Sequence, residues 1–342
     1  MMSAQGGQFA GVVRDFEAAV HARDPEATGR AFMGMQQTFG AAAPHEIMEA
    51  GPRLAGVLAQ VPPGPRSVVA VITGACVERG ADPLNSAPGL FEGLRASLED
   101  ALEFCALWAE SGGGDFPEPG DDYPPEAVVA RTDVQLAEAW WGMPQWEMAA
   151  LAHLNHRPVR QRIGDTRREA LALLRRISAA SGEPFKCLSY ALRVLDDEPL
   201  VALHRESGTG YLLRMSGIGD NFQLHTLLAD ALVGRGYVQG YAPTPHEVAV
   251  CRDAPGQVPT TGSFNLVAPD GSWIWNEGDP SDIPVVDGVR LLVLDPSPYQ
   301  RGWPAGRFFP SMPGDLVLER ALSAEEAAGW FTRVSPMALR PV

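Results

Sequence analysis

Apolar residues recur every three or four positions through the first half of the chain and fall into short, turn-bounded runs through the second. Phe9, Val12, Val13, Phe16 and Val20 mark one helical face, and Asp24-Pro25-Glu26 supplies the cap and first turn of a second helix through Phe39. Further helices are expected over about 44–60 and 65–79, with Gly51-Pro52 kinking or splitting the first. Leu90, Leu94, Leu98, Ala101, Cys105 and Trp108 form the clearest stripe, that of a helix with one buried face. Residues 111–125 hold too many glycines, prolines and acids for a helix and read as the longest linker. Helical character resumes from Glu126 to Trp141, breaks at Gly142-Met143-Pro144 and restarts through His153. A helix over about 158–180 turns Val159, Ile163, Ala170, Leu174 and Ile177 inward. No fixed repeat is detectable, so an irregular bundle or short helical stack is expected rather than a solenoid.

The chain changes class near residue 190. Pro199–Arg205 and Gly210–Ser216 are apolar runs joined by Glu206-Ser207-Gly208-Thr209, a hairpin signal. Asp220 with Gln223 resembles a capping box opening a helix from Asn221 to Val233, after which Tyr237–Tyr241 reads as a strand. Phe264–Val267, Trp273–Asn276 and Val285–Leu294 are further strand candidates, and Ser323-Ala324-Glu325-Glu326 caps a last short helix. The fold class expected is α+β: an all-helical amino-terminal bundle (1–190), then a mixed, mostly antiparallel sheet domain with one or two helices (191–342).

Charge narrows the partners. The 342 residues carry 42 acids against 27 lysines and arginines, a net charge of −15, which opposes general binding to nucleic acid or anionic membranes. Lys186 is the only lysine, and nothing around it resembles G-x-x-x-x-G-K, so standard nucleotide hydrolysis is not expected. It lies in what reads as an interhelix turn, as a solvated lysine rather than a Schiff-base former. Cys76, Cys105, Cys187 and Cys251 form no C-x-x-C pair, the amino terminus lacks a secretory pattern, and no 18-residue uncharged apolar run occurs. A soluble, cytoplasmic, disulfide-free protein follows. The bias toward Ala, Gly, Pro and Arg resembles that of GC-rich bacterial genomes.

Most motifs read better as structure than as chemistry. His153 and His156 have a spacing that a metal site can use, but no third ligand is evident, and helix-end polarity explains them. His45-Glu46 lacks the second histidine of H-E-x-x-H. Gly217-Ile218-Gly219-Asp220 sits where a dinucleotide fingerprint would, but Phe222 takes the third glycine position and Asp220 would crowd a pyrophosphate. No cofactor and no metal is expected; the carboxylates from Glu277 to Asp282 match no calcium loop. Gln223, Thr226 and Asp230 share one helix face, which places His225 opposite with Leu228, Ala229 and Leu232, as a core histidine or a pocket residue.

Two surfaces remain. Between Arg157 and Arg176, seven arginines face only Asp165 and Glu169, a local +5 against −20 for the rest. Arg160, Arg167, Arg168 and Arg175 are the candidate partner contacts, with pairing inside the protein as the plainer account. The reading favoured is a bacterial cytoplasmic binding or scaffold protein that uses this arginine-rich helix and an aromatic-lined surface to engage a protein, peptide or other anionic partner. The alternative is an enzyme with an interdomain pocket formed by His225, Asp220, Asn221, Trp275, Glu277 and Asp282.

Overall fold

The computed structural model describes residues 7–120 and 123–336. Its contacts divide the chain into two units, Met1–Leu192 and Arg193–Val342, the first helical and the second mixed, an α+β protein.

The first unit comprises α1 (Gln8–Ala22), α2 (Pro25–Thr38), α3 (Pro44–Val57), α4 (Pro63–Glu78), α5 (Pro83–Glu110), α6 (Glu126–Val129), α7 (Val134–Trp141), α8 (Met143–Leu154), α9 (Arg157–Arg162), α10 (Gly164–Ser181) and α11 (Lys186–Arg193). The apolar stripe of α5 is buried along its whole length, against α3, α7, α8 and α10. Close approach is built in by glycine: a Cβ on Gly89 of α5 would stand 2.3 Å from the Ala55 carbonyl oxygen of α3. Phe104 stacks between Trp108 and Trp140, with ring centroids 6.1 and 5.5 Å away.

Several local expectations change here. The helix α3 runs unbroken through Pro52, because Ala50, Gly51, Leu54 and Ala55 are all buried and their packing outweighs the lost backbone hydrogen bond. The described residues between α5 and α6, 111–120 and 123–125, form neither helix nor strand, in keeping with their glycines, prolines and acids. The Trp140 indole donates to the Pro117 carbonyl at 2.8 Å, and the Arg131 guanidinium lies 4.2 Å from the Trp108 ring centre. The arginine segment is two helices, parted at Ile163-Gly164. Lys186 opens α11 instead of occupying a turn, its ammonium 5.3 Å from the Tyr190 ring centre.

The second unit has β1 (Glu198–His204), β2 (Thr209–Ser216), α12 (Asn221–Leu232), α13 (Pro245–Arg252), β3 (Val258–Thr261), β4 (Phe264–Val267), β5 (Val285–Val286), β6 (Val289–Pro296), β7 (Gly302–Ala305), β8 (Asp315–Ala321) and α14 (Ala324–Phe331). The main sheet runs β4-β6-β1-β2-β8 with β5 beside β6, antiparallel except for β1 with β6; β3 and β7 pair separately. Alternation along β1 sends Leu200 and Ala202 to the core shared with Leu224, Leu227 and Leu228 of α12. Val201 and Leu203 join Trp330 and Phe331 of α14 in a smaller cluster. Burial of both alternating sets explains why the β1 sequence is an apolar run.

Three strand expectations are corrected. Tyr237–Tyr241 is no strand, since the Tyr237 and Val238 N–H groups turn back to the Leu232 carbonyl and close the end of α12. Trp273–Asn276 makes a single bridge, to Val267, before leaving the sheet. Val285–Leu294 is a hairpin: Asp287 (φ 51°) and Gly288 (φ 82°) supply the two left-handed residues of a tight turn between β5 and β6.

Candidate functional site

The arginine segment is partly consumed by its own fold. Arg160 is 2% exposed and donates to the Leu154 carbonyl at 2.6 Å. Arg167 donates through Nε to the Leu192 carbonyl at 2.6 Å. Arg168 is exposed and pairs with Asp165 one turn away. Arg157, Arg162, Arg175 and Arg176 are exposed, so the outward basic surface is Arg157 and Arg162 on α9 and Arg168, Arg175 and Arg176 on α10. Arg168 and Arg175 stand two turns apart, about 10 Å along the axis.

In the second unit Asp220, Asn221 and His225 lie at the start of α12, and Asn221 and His225 bond to the 275–278 segment. Asp220 caps the helix, its Oδ1 accepting from the Gln223 N–H at 2.7 Å. Gln223 does not complete a capping box; its own oxygen accepts from the Gly219 N–H at 2.9 Å and its nitrogen donates to the Cys251 carbonyl. Asn221 donates from Nδ2 to the Trp275 carbonyl (2.7 Å) and from its backbone to the Gly278 carbonyl (2.9 Å). His225, one turn on, bonds through Nε2 to Asn276 Oδ1 at 2.9 Å. Gln223 and Thr226 are as buried as His225, so α12 has core contacts nearly all round rather than a polar outer face.

Burial pushes the His225 imidazole down to about 4, against the opposing pull of its Asn276 hydrogen bond. It is neutral at physiological pH, with its proton on Nε2 because Asn276 Oδ1 can only accept. The Nδ1 atom of His225 and the Oδ1 of Asn221 are buried acceptors with no partner. The acids on the following loop differ in role: Asp279 is buried and pairs with Arg193 at 2.7 Å, Asp282 contacts the same guanidinium at 3.2 Å, and Glu277 is exposed. Trp275 is 72% exposed, so its ring lies outside this cluster.

A third feature has no counterpart among the sequence motifs. A cavity of about 510 Å³ opens in the helical unit between α2, α4, α7, the start of α8 and the residues Gly120, Tyr123 and Pro124. Phe32 and Met33 form one wall, Val68 and Trp141 another, and Tyr123 and Pro124 its rim. Met33 (54%) and Tyr123 (85%) are large apolar groups exposed to water. The groove exists because α2 makes its helix–helix packing on α1 and buries only Ala31 and Met35. Its floor is tight, since a Cβ on Gly142 would stand 2.9 Å from the Ser67 Cβ.

Glu138 is the only charged group lining this groove among the described residues. Its Oε2 accepts from the Gly64 N–H at 3.2 Å, at the opening turn of α4. Gly64 makes this seat available: a Cβ there would come within 2.9 Å of the Glu138 carboxyl carbon. With the Gln145 amide turned so that both of its atoms are satisfied, its nitrogen donates to the Trp141 and Gly142 carbonyls (3.1 and 3.2 Å) and its oxygen is the polar atom it brings to the wall. The clearest clue in sequence is Pro63-Gly64-Pro65, where a glycine between two prolines opens a helix; Glu138 is 74 residues away and carries no local signal.

The wider chemistry is sparse. No group of three or more His, Cys, Asp or Glu capable of holding a metal occurs among the described residues. His153 and His156 do not converge: His153 is buried between Ser86 and the Ala149 carbonyl, and His156 precedes α9. No helix among the described residues is long and apolar enough to cross a membrane. Fold and sites together define an α+β protein with a helical unit, an aromatic groove and an exposed basic strip. Comparison with protein-family models, curated proteins and solved structures returns no match.

Proposed function

We propose that the protein is a binding protein that takes a segment of a partner polypeptide into the aromatic groove of its helical unit, with Arg168 and Arg175 as a second, electrostatic contact. The observation that carries this reading is the groove itself: about 510 Å³, within the range of ligand sites, with apolar walls and a few polar groups. Two other depressions, beside Arg53 (about 570 Å³) and along the Pro25–Gln37 face (about 620 Å³), are more open to solvent and lack an aromatic wall. The four thiols, none in a disulfide, suit a reducing bacterial cytoplasm. To test the reading, a photoreactive side chain placed at Met33 identifies the partner in source cells, and its purified form is then titrated. Met33→Arg is expected to weaken that affinity at least about tenfold, because a longer, charged side chain replaces one apolar wall of the groove and competes for its space. Unchanged affinity in Met33→Arg and in Val68→Trp, which fills the groove, overturns it.

The enzyme reading rests on one specific observation, the convergence of Asn221 and His225 on the 275–278 segment through three hydrogen bonds, two to the Trp275 and Gly278 carbonyls and one to the Asn276 side chain. It is the weaker reading because an imidazole titrating near 4 is a poor general base at neutral pH.

A further inference from the structure

We propose that the groove selects a lysine side chain of the partner segment, a conclusion that rests on the groove reading above and adds the chemistry of its ligand. Two polar side chains held in place on the walls each offer an acceptor. The Glu138 carboxylate contributes one, because Oε2 engages the Gly64 N–H and Oε1 remains for a ligand. The Gln145 oxygen contributes another in the amide orientation that satisfies both of its atoms, in which the nitrogen is taken up by the Trp141 and Gly142 carbonyls. Among the described residues no Arg, Lys or His lines the cavity and Glu138 is its one carboxylate, within a chain of net charge −15, so the field there favours a cation. The remaining walls, from Phe32, Met33, Val68 and Trp141, suit an apolar stem, and aromatic faces favour a cation over a neutral head group.

The acceptor geometry distinguishes between the two natural cations. A guanidinium fork is matched by a carboxylate with both oxygens open, whereas here one oxygen is tied to the α4 backbone. An ammonium presents three rotatable donors and can engage separate acceptors such as Glu138 Oε1 and the Gln145 oxygen. Gly64 is a positioning residue, because a methyl group there displaces the carboxylate.

The experiment is an NMR titration of the full chain with three acetylated, amidated tripeptides, Leu-Lys-Leu, Leu-Arg-Leu and Leu-norleucine-Leu. The lysine peptide is expected to bind about tenfold tighter than its norleucine counterpart, the effect of one charge-assisted hydrogen bond, and tighter than the arginine peptide. Glu138→Gln should abolish the preference for lysine over norleucine; Gly64→Ala should reduce the same preference and serves if Glu138→Gln fails to fold. Equal or tighter binding of the norleucine peptide overturns the lysine proposal while leaving the groove reading intact, provided Met33→Arg weakens all three. Equal or tighter binding of the arginine peptide overturns the choice of ammonium. Absence of binding by all three, or binding untouched by Met33→Arg, overturns both.

Discussion

The surroundings of His153 in the helical unit and of His225 in the sheet unit answer the same problem differently. Both imidazoles are buried, and burial pushes each down to about 4. Around His153 both ring nitrogens are used: Nδ1 donates to the Ala149 carbonyl at 3.0 Å, and Nε2 accepts from the Ser86 hydroxyl at 2.8 Å. Around His225 only Nε2 is bonded, and the ring rests 5.1 Å from that of Trp303 with Nδ1 unpaired. A depressed proton affinity therefore does not mark a functional histidine; the state of the second nitrogen separates a closed structural site from one with bonding capacity left.

The largest effect expected to sharpen this comparison is acid destabilisation. Unfolded imidazoles bind protons near 6.5 and the folded ones only near 4, so between these values the unfolded chain takes up more protons. Stability is complete above about pH 6.5, falls as the pH drops toward 4, and loses nothing more from these groups below that. Each histidine accounts for on the order of 3 kcal/mol. Urea titrations from pH 7 to 4 on the wild type and on the single alanine variants measure this, and an unchanged slope in either variant removes that histidine from the account.

A smaller difference separates the two substitutions at neutral pH. His153→Ala removes two hydrogen bonds inside a helical core and is expected to cost about 2–4 kcal/mol. His225→Ala removes one and relieves an unpaired acceptor, so about 1–3 kcal/mol is expected. Circular dichroism melts rank them, and the contrast fails if His225→Ala is the more damaging.

The smallest effects belong to the arginine strip. Arg175→Glu, alone or with Arg168→Glu, changes exposed groups and is expected to move stability by no more than about 0.5 kcal/mol. The same pair should slow association with an acidic partner, an effect that added salt reproduces. A large drop in the melting midpoint would show instead that the fold depends on these side chains as it does on Arg160.

Local signals were the most readable. The helix beginning at Asp24-Pro25, the turn joining β1 to β2 and the cap at Ser323 all have their determinants within a few residues. Thr244 and Glu247 form an equally local capping box for α13, a legible helix that the apolar periodicity alone does not reveal because α13 spans only eight residues. The ribbon of β3 and β7 is harder to read, since Pro259 and Pro304 sit opposite each other in it and proline argues against a strand. The candidate site was the least legible part: the charge run identifies seven arginines but cannot say that Arg160 points into a core.

By itself, then, the sequence determined the change from helical to mixed structure near residue 190, the central apolar stripe of α5 and the ends of its well-capped helices, because periodicity and capping act over a turn or two of backbone. Tertiary structure alone decided which arginines face water, which nitrogen of each buried histidine is satisfied, and that a groove lies beyond α2. Those outcomes depend on partners far apart in the chain, Ser86 for His153 and Gly64 for Glu138, and no local pattern encodes a contact made across 67 or 74 residues.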